Sequence, residues 1–287
     1  MAFSVFVDAT GNLPKSMREG ITVLPCEFLV DDEPHLYKGN VDGFNAHAYY
    51  EALRRGKVVH TSLVNSQLFL DRLASALERG QDVICVTMSS GISGTYNAAA
   101  TAAMELMETW PDRFVHIVDS KGCGFGTGLI AVRAAELSRQ GVDARDAAGI
   151  LDEEVAHSCQ YFTVDDLNFL KRTGRVSGVT ATIATVLNIK PILYGDTEGH
   201  IVSCGKNRGR KAAIAAIVKK YEEKRIDGPE QKICISHGDC LEDAEALAEL
   251  VRGITPDVPI TICPHEPVSG AHVGPGMLAL FFRGTER

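Results

Sequence analysis

The chain has 287 residues, 45% of them hydrophobic and 23% charged, which gives one large or two ordinary domains a substantial core and excludes a disordered chain. Lys and Arg total 29 against 37 Asp and Glu, and the net charge of −8 argues against broad binding to nucleic acid or to an anionic membrane surface. No apolar run approaches the roughly 20 residues that span a bilayer, and MAFSVFVDAT lacks the regions of a signal peptide, so a cytoplasmic location is expected.

From the N-terminus, SVFVDA (4–9) reads as a short strand, and FNAHAYYEALRRG (44–56) and SQLFLDRLASALERG (66–80) carry helical patterns. DVICVTMS (82–89) and FVHIVDS (114–120) are further strands, with the helix YNAAATAAMELMET (96–109) between them. The helices TGLIAVRAAELSRQG (127–141) and DARDAAGILDEEVAHS (143–158) follow. Strands separated by helices of this length imply βαβ units and a mainly parallel sheet. These strands end in polar or Gly-rich loops at 8–10, 89–91 and 119–122, and ligands of open α/β sheets bind at the carboxyl ends of the strands.

Beyond residue 160 the pattern changes. Six strand-like runs appear: CQYFTVDD, IKPILYG, HIVSCGK, QKICISHG, PITICPHEPV and GMLALFFRG. Only two strong helices separate them, GRKAAIAAIVKKYEEKR and LEDAEALAELVRG. This predicts a second, α+β domain with a mixed or antiparallel sheet, over 161–287, after a parallel-sheet α/β domain over 1–160. RIDGPEQ (225–231) reads as a turn. Eight cysteines are scattered without a C-x-x-C pair, and Cys85, Cys234 and Cys263 lie inside apolar strands, so reduced core thiols are expected. The histidines show no metal-ligand spacing.

The most informative stretch is TMSSGISGTYNAAA (87–100), a strand that runs through serines and glycines into an Ala-rich helix. The free N–H groups and dipole of a helix N-terminus, joined by several hydroxyls, suit a bound anion. A plainer role is that Ser93 or Thr95 caps the helix. A strand–Ser–helix turn also resembles a nucleophile elbow, but position 95 is Thr where G-x-S-x-G needs Gly, and no acid–histidine pair is evidently spaced to complete a triad. A serine esterase or acyltransferase is the alternative function.

With VDATGNLP near the N-terminus, HTSLVNS at 60–66, MSSGISGTYNAA at 88–99, VDSKGCGFGTG at 118–128, LNFLKRTGRVSG at 167–178, LNIKPIL at 187–193 and GAHVGPG at 270–276, the chain resembles the DegV family. The resemblance implies a two-domain α/β fold with a long-chain fatty acid bound between the domains. It also implies an acyl-carrying subunit of bacterial fatty acid kinase without a complete catalytic site of its own. A separate ATP-dependent kinase subunit would phosphorylate the bound acid, and the acyl phosphate would feed phospholipid synthesis. No cofactor or metal is implied, only the fatty acid as ligand. The family's carboxylate-binding positions fall on Thr61, Ser62, Ser93 and Gly94, with Arg175 and His272 as further fatty-acid-site positions. The family often continues Thr-Ser with Gln-Pro-Ser, whereas Leu63, Val64 and Asn65 stand here, which bears on tail contacts rather than on the head group.

Without the resemblance, His272 in its glycine-rich loop reads equally as a core histidine, and Arg175 as part of a solvated basic turn complementing a helix dipole. The run Lys206-Asn207-Arg208-Gly209-Arg210-Lys211 places four cations in six residues at a helix start, where they oppose the dipole. It is a solvated face or a docking surface, and the resemblance favours docking of the kinase on Lys206, Arg208, Arg210 and Lys211.

Overall fold

A computed structural model describes residues 2–176, 188–228 and 231–287. Ser177 and Gly178 of the 167–178 motif, Leu187 of the 187–193 motif, and Pro229 and Glu230 of the expected turn lie outside the described residues. The chain forms two compact units, Met1–Asp42 with Val59–Ala156, and Gly43–Val58 with His157–Arg287. The segment 43–58 thus belongs to the second unit although it lies in the N-terminal half of the sequence.

In chain order the first elements are β1 (Phe3–Asp8), β2 (Ile21–Leu24), β3 (Cys26–Val30), β4 (Glu33–Tyr37), α1 (Ala46–Arg54), β5 (Val59–Thr61) and α2 (Ser66–Glu78). Next come β6 (Asp82–Thr87), α3 (Thr95–Thr109), β7 (Val115–Asp119), α4 (Phe125–Arg139) and α5 (Ala144–Val155). After these follow β8 (Ser158–Thr163), α6 (Asn168–Arg172), β9 (Ile189–Gly195), β10 (Ile201–Arg208) and α7 (Arg210–Lys224). The last are β11 (Ile233–His237), α8 (Leu241–Arg252), β12 (Ile260–Pro264), α9 (Pro267–Val273) and β13 (Leu278–Arg283).

The first unit is built on the all-parallel sheet β2-β1-β6-β7. Central β1 and β6 read as nearly unbroken apolar runs because helices cover both faces of such a sheet. Helix α4 packs on β1 and β6, and α5 on β7. Gly128 is what admits α4 to this position: a Cβ there would fall 2.1 Å from the Gly11 carbonyl oxygen. A small antiparallel sheet, β4-β3-β5, completes the unit. The sequence patterns do not predict β2, β3, β4 or β5. They are three to five residues long and, in β4, mostly exposed and interrupted by Pro34, so no alternation marks them.

The second unit holds the mixed sheet β10-β9-β8-β13-β11-β12, in which β11 and β12 pair in parallel and the other neighbouring strands pair antiparallel. Helices α7 and α8 pack on each other and on this sheet. Buried Tyr221 meets Phe282 edge-on at a centroid distance of 4.9 Å, and Tyr161 stacks on Phe282. Two short helices, α6 and α9, add to the two strong ones. Helix α1 is tied to this unit by fully buried Tyr50, whose hydroxyl donates to the His265 carbonyl at 3.0 Å, and by Tyr49 donating to the Pro267 carbonyl at 2.7 Å. Arg54 and His47 both meet the Asp239 carboxylate. The fold is the α/β arrangement expected, with a parallel sheet first and a mixed sheet second.

All eight cysteines are free thiols, with Cys85, Cys234 and Cys263 buried in strands. Among the described residues no helix is long and apolar enough to cross a membrane. Nor do three His, Cys, Asp or Glu side chains converge as a metal site among them.

Candidate functional site

The serine-rich turn leaves the carboxyl end of β6, and two aspartates at the ends of the neighbouring strands hold it. Asp8, fully buried, accepts from the Met88 N–H at 2.7 Å and from the Thr10 N–H at 2.9 Å. Desolvation raises its pKa, while the Thr10 hydroxyl and these two amides pull it down. Asp119 accepts from the Ser90 N–H at 3.1 Å and pairs with the Lys121 ammonium at 3.0 Å; that ammonium also donates to Ser90 Oγ at 3.2 Å. Ser89 folds the turn on itself: its N–H donates to Gly122 O at 2.8 Å, its Oγ accepts from Gly91 N, and its carbonyl accepts from Ser93 N. In the sequence these aspartates read only as the first residues of the polar loops at 8–10 and 119–122; their supporting role needs the parallel order β1-β6-β7.

Helix α3 begins after Gly94, whose position offers no side-chain cap. Ser93 Oγ lies 3.0 Å from Thr95 Oγ1 and accepts from the Thr95 N–H at 3.3 Å. Ser93 therefore does part of the capping. The two hydroxyls share a hydrogen bond that either one can donate.

Thr61 ends β5 opposite Phe28 of β3, and the Ser62 N–H donates to Glu27 O at 3.2 Å. Asn65 caps α2 by accepting from Leu68 N at 2.9 Å, and Val64 is buried. A Cβ on Gly94 would lie 3.1 Å from Leu63 Cδ2, so the 61–65 segment rests against the start of α3. Leu63, next to Thr61 and Ser62 in the chain, thus lies beside Gly94 at a helix start that only Ser93 partly caps. Backbone donors, hydroxyls and the helix dipole all favour an anion there.

Arg175 and His272 belong to the second unit. His272 is not in a loop, as its glycine-rich surroundings predict, but in the last turn of α9. Pro267 at the first helical position and the Glu266 carboxylate, which accepts from Val268 N at 2.6 Å and Ser269 N at 2.8 Å, start a helix that the glycine content hides. Helix α6 packs on α9, and Phe169 covers Gly274 so closely that a Cβ there would lie 2.5 Å from the ring. Burial, then the charges of Arg175 and Arg172, lower the His272 pKa to about 4. His272 is therefore a neutral imidazole near pH 7, able to donate a hydrogen bond without carrying charge.

Of the basic run, Lys206, Arg208 and Lys211 are exposed, whereas Arg210 is turned inward. Its Nε donates to Asp243 at 2.9 Å and its guanidinium also meets Cys240 Sγ at 3.2 Å. Lys206 and Arg208 project from β10, the edge strand of the mixed sheet, where cations also discourage edge-to-edge pairing.

A buried group that the sequence patterns do not reveal joins Ser236, His265, Ser269 and Glu266. His265 lies 3.0 Å from Ser236 Oγ and 2.8 Å from Ser269 Oγ, and Ser269 meets Glu266. The set resembles a hydrolase constellation in composition, yet each member is under a tenth exposed and Glu266 is spent on starting α9.

Fold and site together define a two-unit α/β protein with a serine-rich strand-to-helix turn at the carboxyl end of its parallel sheet. The family described as "Uncharacterised protein, DegV family" matches residues 2–285, and the chain belongs to the DegV family. A DegV domain-containing protein of Clostridium perfringens is 36% identical over 286 residues, spanning 99% of this chain and 98% of that protein. A fatty-acid-binding DegV family protein from Thermus thermophilus has a similar structure, with a TM-score of 0.85 at 25% identity over 99% of this chain and 100% of that one. Another fatty-acid-binding DegV family protein, from Streptococcus agalactiae, gives a TM-score of 0.86 at 25% identity over 99% of each chain.

Proposed function

We propose that this protein is a cytoplasmic carrier that binds a long-chain fatty acid by its carboxylate at Thr61, Ser62, Ser93 and Gly94. It presents the acid to an ATP-dependent kinase subunit for conversion to acyl phosphate, which supplies phospholipid synthesis. The observation that carries the binding step is that Leu63, next to Thr61 and Ser62 in the chain, lies against Gly94 at the start of α3; the fatty-acid-binding relatives support the choice of anion. Burying about 15 methylenes at ~0.8 kcal/mol each yields a gross gain of ~12 kcal/mol. Association and tail ordering take back several kcal/mol, which leaves sub-micromolar affinity. Hydroxyl and amide donors offset the desolvation of the carboxylate. Such neutral donors can hold an acyl phosphate as well as a carboxylate. We assign neutral His272 and Arg175 to the phosphate oxygens as donors during transfer. The protein itself supplies no complete catalytic site in this scheme.

Native mass spectrometry of freshly purified protein is expected to show one acyl chain that denaturing extraction removes. Folded, empty protein that refuses added palmitate and oleate would sink the assignment. Docking of the kinase is assigned to Lys206, Arg208, Arg210 and Lys211, with Arg210 also bound within its own unit. Charge reversal is therefore best made at Lys206 and Arg208 alone. The double Glu variant is expected to keep fatty-acid affinity and to associate with the kinase more slowly, with a defect that shrinks as salt rises. Wild-type association at low salt would show these cations to be merely solvated.

A further inference from the structure

The segment after Thr61 and Ser62 holds one apolar side chain that the fold does not use. Val64 is 3% exposed and anchors the segment, and Asn65 caps α2. Leu63 is 48% exposed, and its Cδ2 lies 3.1 Å from the point where a Cβ of Gly94 would stand. Exposed leucines are ordinary on protein surfaces. This one is set apart by its place, directly after two of the hydroxyl-bearing residues in the chain and against a third position, Gly94.

We infer that Leu63 is a specificity-determining residue that reads the carbons next to the carboxylate and selects acids unsubstituted at those positions. The inference rests on the head-group assignment above. A carboxylate held by Thr61, Ser62, Ser93 and Gly94 brings its second and third carbons within reach of the isobutyl group. Methylenes gain by contact with that wall. A hydroxyl on the third carbon loses its water there and finds no donor or acceptor on leucine, a desolvation worth about tenfold or more in affinity. A polar side chain at position 63 would return a hydrogen-bond partner and remove the discrimination. The bland alternative is that Leu63 only fills the gap between its segment and α3, in which case the ligand does not sense it.

The two differ in a competition assay with palmitate, 3-hydroxypalmitate and 16-hydroxypalmitate on lipid-stripped protein. Wild type is expected to prefer palmitate over the 3-hydroxy acid by about tenfold or more. Leu63→Gln should narrow that ratio to within about threefold, Leu63→Met should keep it, and the ratio of palmitate to the 16-hydroxy acid should be the same in all three proteins. A 3-hydroxy ratio unchanged in Leu63→Gln, even with both affinities lowered, overturns the role of Leu63 and leaves the head-group assignment standing. A change in the 16-hydroxy ratio as large as that in the 3-hydroxy ratio also overturns it, because the effect would then not be local to the carboxylate. Failure of wild type to bind any of the three acids removes the head-group assignment and this inference with it.

Discussion

Ser93→Ala is expected to weaken fatty-acid binding by roughly ten- to a hundredfold, the equivalent of one hydrogen bond to a charged group at about 1.5–3 kcal/mol. The hydroxyl it removes lies 3.0 Å from Thr95 Oγ1. Part of the cost falls on the helix, since Ser93 also accepts from the Thr95 N–H. That share is read separately, as a lowered midpoint in denaturant of about 1 kcal/mol or less. Thr61→Val, nearly isosteric, should reproduce the binding loss without the capping loss. Titration calorimetry with oleate on both stripped variants decides the matter. Wild-type affinity in both, with unchanged circular dichroism, would place the head group elsewhere.

Acid should destabilise the second unit well before its carboxylates titrate. Burial holds His265 at about 3 and His272 at about 4, with repulsion from His237 adding to the first and from Arg175 and Arg172 to the second. Burial lowers His237 as well. In the unfolded chain all three return to an ordinary imidazole pKa of 6.5. Between that value and the folded one, the unfolded state binds protons that the folded state refuses, so stability rises with pH. It is complete above pH 6.5 and falls as the pH drops toward 4. At pH 5 the loss is about 2 kcal/mol for each of His265 and His272, or about 4 kcal/mol together. Chemical denaturation at pH 7 and pH 5 measures it. His272→Gln should roughly halve the difference, whatever it does to stability at pH 7, because one proton-binding group has gone. A pH dependence identical in wild type and variant would mean that His272 titrates normally in the folded protein.

The long helices and the apolar strands were legible because their periods and lengths are unambiguous. TGLIAVRAAELSRQG and DVICVTMS became α4 and β6 as expected. The antiparallel sheet of β3, β4 and β5 was not legible, although β5 carries Thr61. Short edge strands such as Glu33–Tyr37 owe their conformation to ladder partners far along the chain rather than to their own side-chain pattern. Helix α9 was hidden for a related reason: its Gly270 is there to let the Tyr50 ring approach, a demand from a residue 220 positions earlier.

By itself the sequence determined the class of fold, the hydroxyl-rich strand-to-helix turn and the family. These depend on local periodicity, on composition and on an ordered set of motifs, all of which survive without knowledge of contacts. Only the tertiary structure decided that Asp8 and Asp119 clamp the turn from either side, and that Leu63 lies over Gly94. It alone decided that Arg210 is committed to Asp243 and that segment 43–58 joins the second unit. Each of these is a pairing between residues far apart in the chain, settled by tertiary packing and, for the aspartates and Arg210, by the need of polar groups for partners, and none is written in the neighbours along the chain.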